Sequence, residues 1–391
     1  MPRLRFAERS TYHPPPSSSR VPAIKRKRVT QVGSGAYSIY LPKRWIDGWV
    51  PEQQASREVD LHQINQSLLI VPAIRADQLE LVVPPETPVV LALLHSAYVR
   101  GHHHVTLTPA KGRFGDECVA AAREALRRLD ERLRSTVSGD RIGFTLQREL
   151  PAPFTSGTDL LQFMAARLRE VIDLAAECVE ASADHPDRAL HAARLLLAIH
   201  EEDLSRLFAQ ALRLVATLEL PLGRISDFQL LDLAADEYHT AGTACVQVAT
   251  LVLAGHGLRP SELAYPRQDL LRRIAKAPAA PQLARDIAKG YRDAFHAAQT
   301  MLDQVGPAIA SHDVPVLLRL QADARAAQEA MQASTVAAVR EHWGRPQQEG
   351  VQAMVTAHQL GHPIAQLLGC LGRLAQTGIA LCGAQPPTEA A

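Results

Sequence analysis

The sequence predicts an α+β chain with a small β module, a small α/β connector and a long helical body. Three observations lead there. The 391 residues exceed what one ordinary core organises, so two or three domains are expected. Apolar residues make up 47% and charged residues 21%, which is globular composition. Only 5% of residues are aromatic while Ala and Leu abound, which favours helices over a β-sandwich.

Residues 1–23 are expected to be a disordered arm. Pro14-Pro15-Pro16 followed by Ser17-Ser18-Ser19 supplies nothing for a core. Residues 24–73 read as a β module. Arg28–Val32 has strand chemistry, Gly33-Ser34-Gly35 supplies a turn, and Tyr37–Leu41 alternates as a second strand. Pro42 opens a short helix over 43–47, where its missing N–H is harmless. Glu58–Ile64 and Ser67–Val71 are two further strands about the tight turn Asn65-Gln66. Such a module is too small to bury a core alone, so a homodimer through it is expected.

Residues 84–150 form the connector. Pro88–Arg100 has helical periodicity, and His104–Thr108 and Arg141–Leu146 read as strands. Asp116–Val137 reads as one amphipathic helix with Val119, Ala122, Leu126, Leu129 and Leu133 inward. The body, 157–383, reads as six long helices at about 157–184, 187–219, 224–255, 280–306, 312–343 and 347–382. Gly and Pro clusters separate them, including Gly306-Pro307. The wide break at 255–281 splits them into two all-α three-helix bundles, 157–255 and 280–383. Leu190, Leu197, Leu204, Ala211 and Leu218 recur every seven residues, beside a row of Leu207 and Leu214. That seam suits shallow antiparallel packing.

Charge is unevenly spread. Residues 1–44 carry ten basic residues and one acid, +9, against −8 for the rest of a chain whose total is +1. A polyanion partner fits the first segment only. The five cysteines, Cys118, Cys178, Cys245, Cys370 and Cys382, are scattered with no C-x-x-C pair. A disulfide framework or structural zinc is not expected, and a reducing cytoplasm is. No export signal and no apolar run of spanning length is read, so no membrane insertion is expected.

The stretch Arg28–Trp45, with Gly33-Ser34-Gly35 and Leu41-Pro42-Lys43-Arg44-Trp45, followed by Ser67–Pro72, resembles the AbrB/SpoVT DNA-binding domain. The helical body resembles PhoU, the phosphate-uptake regulator family built of two three-helix bundles. The combination is similar to a known architecture of phosphate-uptake regulators. It covers about 24–383. The resemblance implies a swapped-hairpin module in which two chains interlace. It also implies a basic DNA-gripping surface at Arg26, Lys27, Arg28, Lys43 and Arg44. Clustered Arg and Lys on such a module suit phosphate contacts. The loop Pro51-Glu52-Gln53-Gln54 lacks the Gly-Asp often found in the family, so dimerisation without DNA stays open.

PhoU proteins often carry paired acids on the third helix of each bundle, which hold metal. In the second bundle, Gly372-Arg373-Leu374-Ala375-Gln376 has Gly and Gln at those places. In the first, Asp236 and Thr240 occupy them. Asp232 and Asp236 form a pair one turn earlier, with Glu201, Glu202 and Asp203 on the neighbouring helix. Glu202, Asp203, Asp232 and Asp236 are therefore the metal candidates, against the plainer reading of a solvated acidic face. No cofactor is expected.

His358-Gln359-Leu360-Gly361-His362 has zincin spacing, but Gln replaces the base, and Gly361 and Pro363 are expected to break the helix. His102-His103-His104 is a poor ligand set on a strand. His200 reads as a buried, satisfied histidine. No nucleophile–base constellation has supporting spacing, so an enzyme is not expected. The resemblance implies a regulator of phosphate uptake acting through a transporter or sensor kinase. A DNA-binding transcription regulator sensing another signal and a metal-binding helical scaffold are the alternatives.

Overall fold

The computed structural model describes residues 30–32, 36–38, 43–47, 59–64, 67–72, 78–147, 154, 156–181, 185–217, 225–255, 258, 285–342 and 347–383. The expected arm, Arg26, Lys27 and Arg28 lie outside them. Two compact units are present, one of Met1–Asp60 with Val71–Ile74, the other of Leu61–Ile70 with Arg75–Ala391.

The first unit holds β1 (Thr30–Val32) and β2 (Ala36–Ser38), an antiparallel pair about the Gly-Ser-Gly stretch, and a single-turn helix, α1 (Lys43–Ile46). Strands β3 (Val59–Ile64) and β4 (Ser67–Pro72) pair as a separate two-stranded sheet.

The second unit opens with an α/β layer. Its strands are β5 (Gln78–Val83), β6 (His104–Pro109), β7 (Leu133–Val137) and β8 (Ile142–Leu146), in the order β5-β6-β8-β7. Only β5 and β6 are parallel, because helix α2 (Thr87–Val99) returns the chain between them. Helix α3 (Asp116–Leu129) packs on α2 and on β7. The layer has its own core of Val90, Leu94, Tyr98, Leu107, Leu126, Ile142 and Phe144.

One expectation is corrected here. The amphipathic helix predicted to Val137 stops at Leu129, and 133–137 is the edge strand β7. Leu133 follows Leu129 at helical spacing, which disguises the change. Asp130 makes it: its backbone is extended (φ −162°), and its carboxylate accepts the Arg132 backbone N–H at 2.9 Å. An aspartate bonding two residues ahead competes with the helix and ends it.

The helical body follows. Helices α4 (Gly157–Ala181), α5 (Pro186–Ala198), α6 (Ser205–Thr217) and α7 (Ile225–Gly255) come before residue 256. Helices α8 (Arg285–Ala310), α9 (Val314–His342) and α10 (Gln347–Gly383) follow it. Helix α4 packs on α5, α6 and α7, while α8, α9 and α10 pack on one another; α4 meets α8, and α7 meets α10. One apolar core runs through all of it, from Leu160 to Ala375. The seam lies inside: Leu190, Leu204, Leu207, Ala211 and Leu214 are buried and Leu197 is half-buried.

Three boundaries differ from the sequence expectation. Between α5 and α6 the rod is not α-helical but a π turn, Ile199–Leu204. Gly306-Pro307 does not end α8, which continues to Ala310. The stop comes at His312, with φ 56°, where the N–H of His312 bonds to Ile309 O and that of Asp313 to Ala308 O. This is a Schellman end with histidine in glycine's usual place. Asp313 then caps α9 by accepting the Val316 N–H at 3.1 Å. Gly361 and Pro363 likewise sit inside α10 without breaking it. Packing of that helix on α7, α8 and α9 offsets the missing backbone bond. Ala357–Cys382 of α10 is also long and apolar enough to cross a membrane, contrary to the expectation that no segment is. Half of its most apolar 18-residue stretch is buried among the other helices, which accounts for its composition.

Candidate functional site

Of the residues singled out by sequence, His200, Glu201, Glu202 and Asp203 lie on the π turn, where the helical body meets the α/β layer. Its sequence is Ile-His-Glu-Glu-Asp-Leu, and π turns gather at functional sites. A π turn shifts the phase of the helix faces on either side. Helix α5 therefore serves α4 and α7, while α6 also reaches α2 and α3. Ala209 of α6 is fully buried in the core of the α/β layer.

The acids of this turn are matched by arginines. Asp203 pairs with Arg206 at 3.1 Å and Arg167 at 3.3 Å. Glu201 takes Arg128 of α3 at 3.2 Å, and Arg128 also holds Glu124 at 2.7 Å. Glu202 is exposed and adds to the field that favours charged Arg127. Asp232 and Asp236 of α7 are exposed. Among the described residues, no group of three or more His, Cys, Asp or Glu side chains is placed to hold a metal ion. The four metal candidates are thus not drawn together into a ligand set. At the corresponding place in α10, Gly372 is buried, and a Cβ there would stand 3.0 Å from Ala324. Its neighbour Arg373 reaches across to α7 and grips both oxygens of Glu237, at 2.7 and 2.8 Å.

Two histidines line the inner side of the turn. The His200 ring stacks on His239 of α7 at 5.6 Å, and His239 stacks on Phe208 at 4.3 Å and 8°. Thr243 spends its proton on His239 O, so at 3.4 Å its Oγ1 is an acceptor for the His200 Nε2–H. Burial, and secondarily His239, lowers the His200 pKa to about 4. Burial also lowers His239, against the opposing pull of Asp236, and lowers His95 on α2. These rings are neutral near pH 7, and neutrality lets them stack. The sequence predicts a buried, satisfied His200; it is half-buried, with Thr243 Oγ1 at 3.4 Å from its Nε2.

Sequence reasoning missed the polar joint more than two turns further along α6. Arg213 is 1% exposed, and its guanidinium donates to the carbonyls of Tyr98 (2.7 Å), His102 (3.2 Å) and Gly101 (3.2 Å). These are carbonyls at and just beyond the end of α2, the negative pole of that helix. The guanidinium also lies 5.1 Å from the Tyr98 ring centroid. The Tyr98 hydroxyl donates to Asp130 at 2.7 Å, and Asp130 is held by Arg132 at 2.8 Å. Gly101 adopts φ +90°, and a Cβ there would lie 2.3 Å from Thr217. Its hydrogen atom permits both the turn and the approach of α6. The one signal in the sequence was a charged residue inside the apolar run Leu212-Arg213-Leu214-Val215.

Of the expected DNA-contacting residues, Lys43 lies at the start of α1 and is exposed, and Arg44 follows on the same turn. Comparison of the chain with protein-family models, with curated proteins and with solved structures finds no match.

Proposed function

We propose that this chain is a PhoU-like regulator of phosphate uptake and homeostasis in the cytoplasm. It acts through protein partners, a phosphate transporter or a sensor kinase, rather than by catalysis. Its AbrB-like N-terminal module serves homodimerisation, DNA binding or both. One observation carries the reading. Three rods before residue 256 and three after residue 284 pack side against side, through α4 with α8 and α7 with α10. That helical arrangement supports the reading, since the resemblance implies two three-helix bundles. The polar joint at Arg213 and the π turn supports it further, since a regulator must couple its parts mechanically.

The test is phosphate uptake by cells lacking the chain, grown with abundant phosphate. Uptake is expected to rise severalfold and to fall again when the chain is restored. Unchanged uptake, with a changed transcript profile, would transfer the assignment to a transcription regulator of another signal. Light scattering on the whole chain is expected to give the mass of a dimer.

A further inference from the structure

A cavity of about 680 Å³ opens where α4, α7, α8 and α10 come together. This size lies within the range of small-molecule sites. Its walls are mainly apolar, with Leu161, Leu302 and Ile309 among them. Thr158 and Gln162 also line it, and three further polar features interrupt the walls. Arg169 and Asp303 form an ion pair at the rim, so their charges cancel. His312 and Cys382 face each other, Nδ1 to Sγ, at 3.4 Å. The third is Tyr238.

Tyr238 is 4% exposed, yet its hydroxyl has no hydrogen-bond partner among the described residues. Tyr238 is one of the residues that line the cavity. A buried hydroxyl without a partner costs about 1–3 kcal/mol. Burial also raises its pKa, which keeps the phenol a neutral donor. We propose that the cavity is a binding site for an uncharged, apolar small molecule whose carbonyl oxygen accepts the Tyr238 hydroxyl proton. The donor dictates an acceptor on the ligand. The cancelled rim charges give an anion no advantage, and the apolar walls select a hydrocarbon body. The site is separate from the π turn and does not depend on the phosphate reading.

The experiment is calorimetric titration of the full chain with 2-octanone, beside octanoate. One-to-one binding of the ketone is expected, with octanoate weaker. Tyr238→Phe removes only an oxygen without a protein partner, so the fold is kept; it is expected to weaken ketone binding about threefold to tenfold. Ala166→Trp, at the exposed rim, is expected to abolish binding by filling the entrance. No heat with the ketone, tighter binding of octanoate, or equal affinity in Tyr238→Phe each overturns the proposal. If the tryptophan variant loses its circular dichroism, the phenylalanine comparison decides alone.

Discussion

Arg213 does with one side chain what a hydrophobic contact could not. The end of α2 presents carbonyls toward α6, and these must be satisfied once water is gone. A planar guanidinium, with donors spread in a fork, reaches three of them together. Lysine offers a compact charge on a flexible stem and cannot span the same set. Removing the guanidinium leaves buried acceptors without donors, a worse state than never having had the pair. Arg213→Met is therefore expected to destabilise the chain by on the order of 3 kcal/mol, and Arg213→Lys by a large part of that. Urea unfolding followed by circular dichroism measures both. A loss below about 0.5 kcal/mol in the methionine variant, the range of ordinary surface changes, would show the joint to be ornamental.

The elements differ in how plainly residues announce them. Helix α2 and strands β6 and β8 stand within a residue or two of where periodicity places them. The apolar seam of α5 and α6 is likewise inward as its seven-residue spacing implies. The departures have local causes that periodicity does not register. Asp130 ends α3 through a side-chain bond to the backbone, and the edge strand β7 then begins at a leucine in helical phase. Proline inside α8 and α10 is outvoted by tertiary packing. The seven-residue leucine spacing continues across the π turn, so hydrophobic spacing does not reveal the turn. Of the site, the acids and His200 were legible because charge and periodicity mark them. The arginines that occupy those acids come from α3, α4 and α6, and only the fold brings them near. The π turn also makes a prediction of its own. The His200 pKa falls from an unfolded value near 6.5 to about 4, first because of burial and then because of His239. The unfolded chain thus binds more protons between these values. The stabilisation is whole above about pH 6.5 and is lost as the pH falls toward 4. His239 and His95 shift in the same direction and add to the slope. His200→Gln cannot charge, so its melting temperature is expected to fall less than the parent's between pH 7 and pH 4.5, by about 2–4 °C. Parallel curves for the two proteins would mean that the ring titrates as it does in water.

Across the whole molecule, charge is segregated by sequence, with +9 in residues 1–44 and −8 in the remainder. Segregation of this kind gives a polyanion one place to bind and repels it from the rest. The body spends many of its acids internally, as in Glu237 with Arg373 and Asp203 with Arg167 and Arg206. The one described cation of the expected DNA set with a described side chain, Lys43, is exposed. If Arg26, Lys27, Arg28, Lys43 and Arg44 grip phosphates, each neutralised phosphate releases condensed counterions, and affinity falls as salt rises. Neutralising any one of the five should weaken binding to every duplex sequence alike. The slope of log affinity against log salt should become shallower by about one unit for each phosphate no longer gripped. Glu201→Gln serves as the control, since that carboxylate is paired with Arg128 in the body; its slope is expected to match the parent's. A nonspecific duplex and a salt titration are sufficient. A parent chain without measurable affinity at low salt would remove DNA from the proposed roles of the N-terminal module and leave the proposed dimerisation to be decided by light scattering.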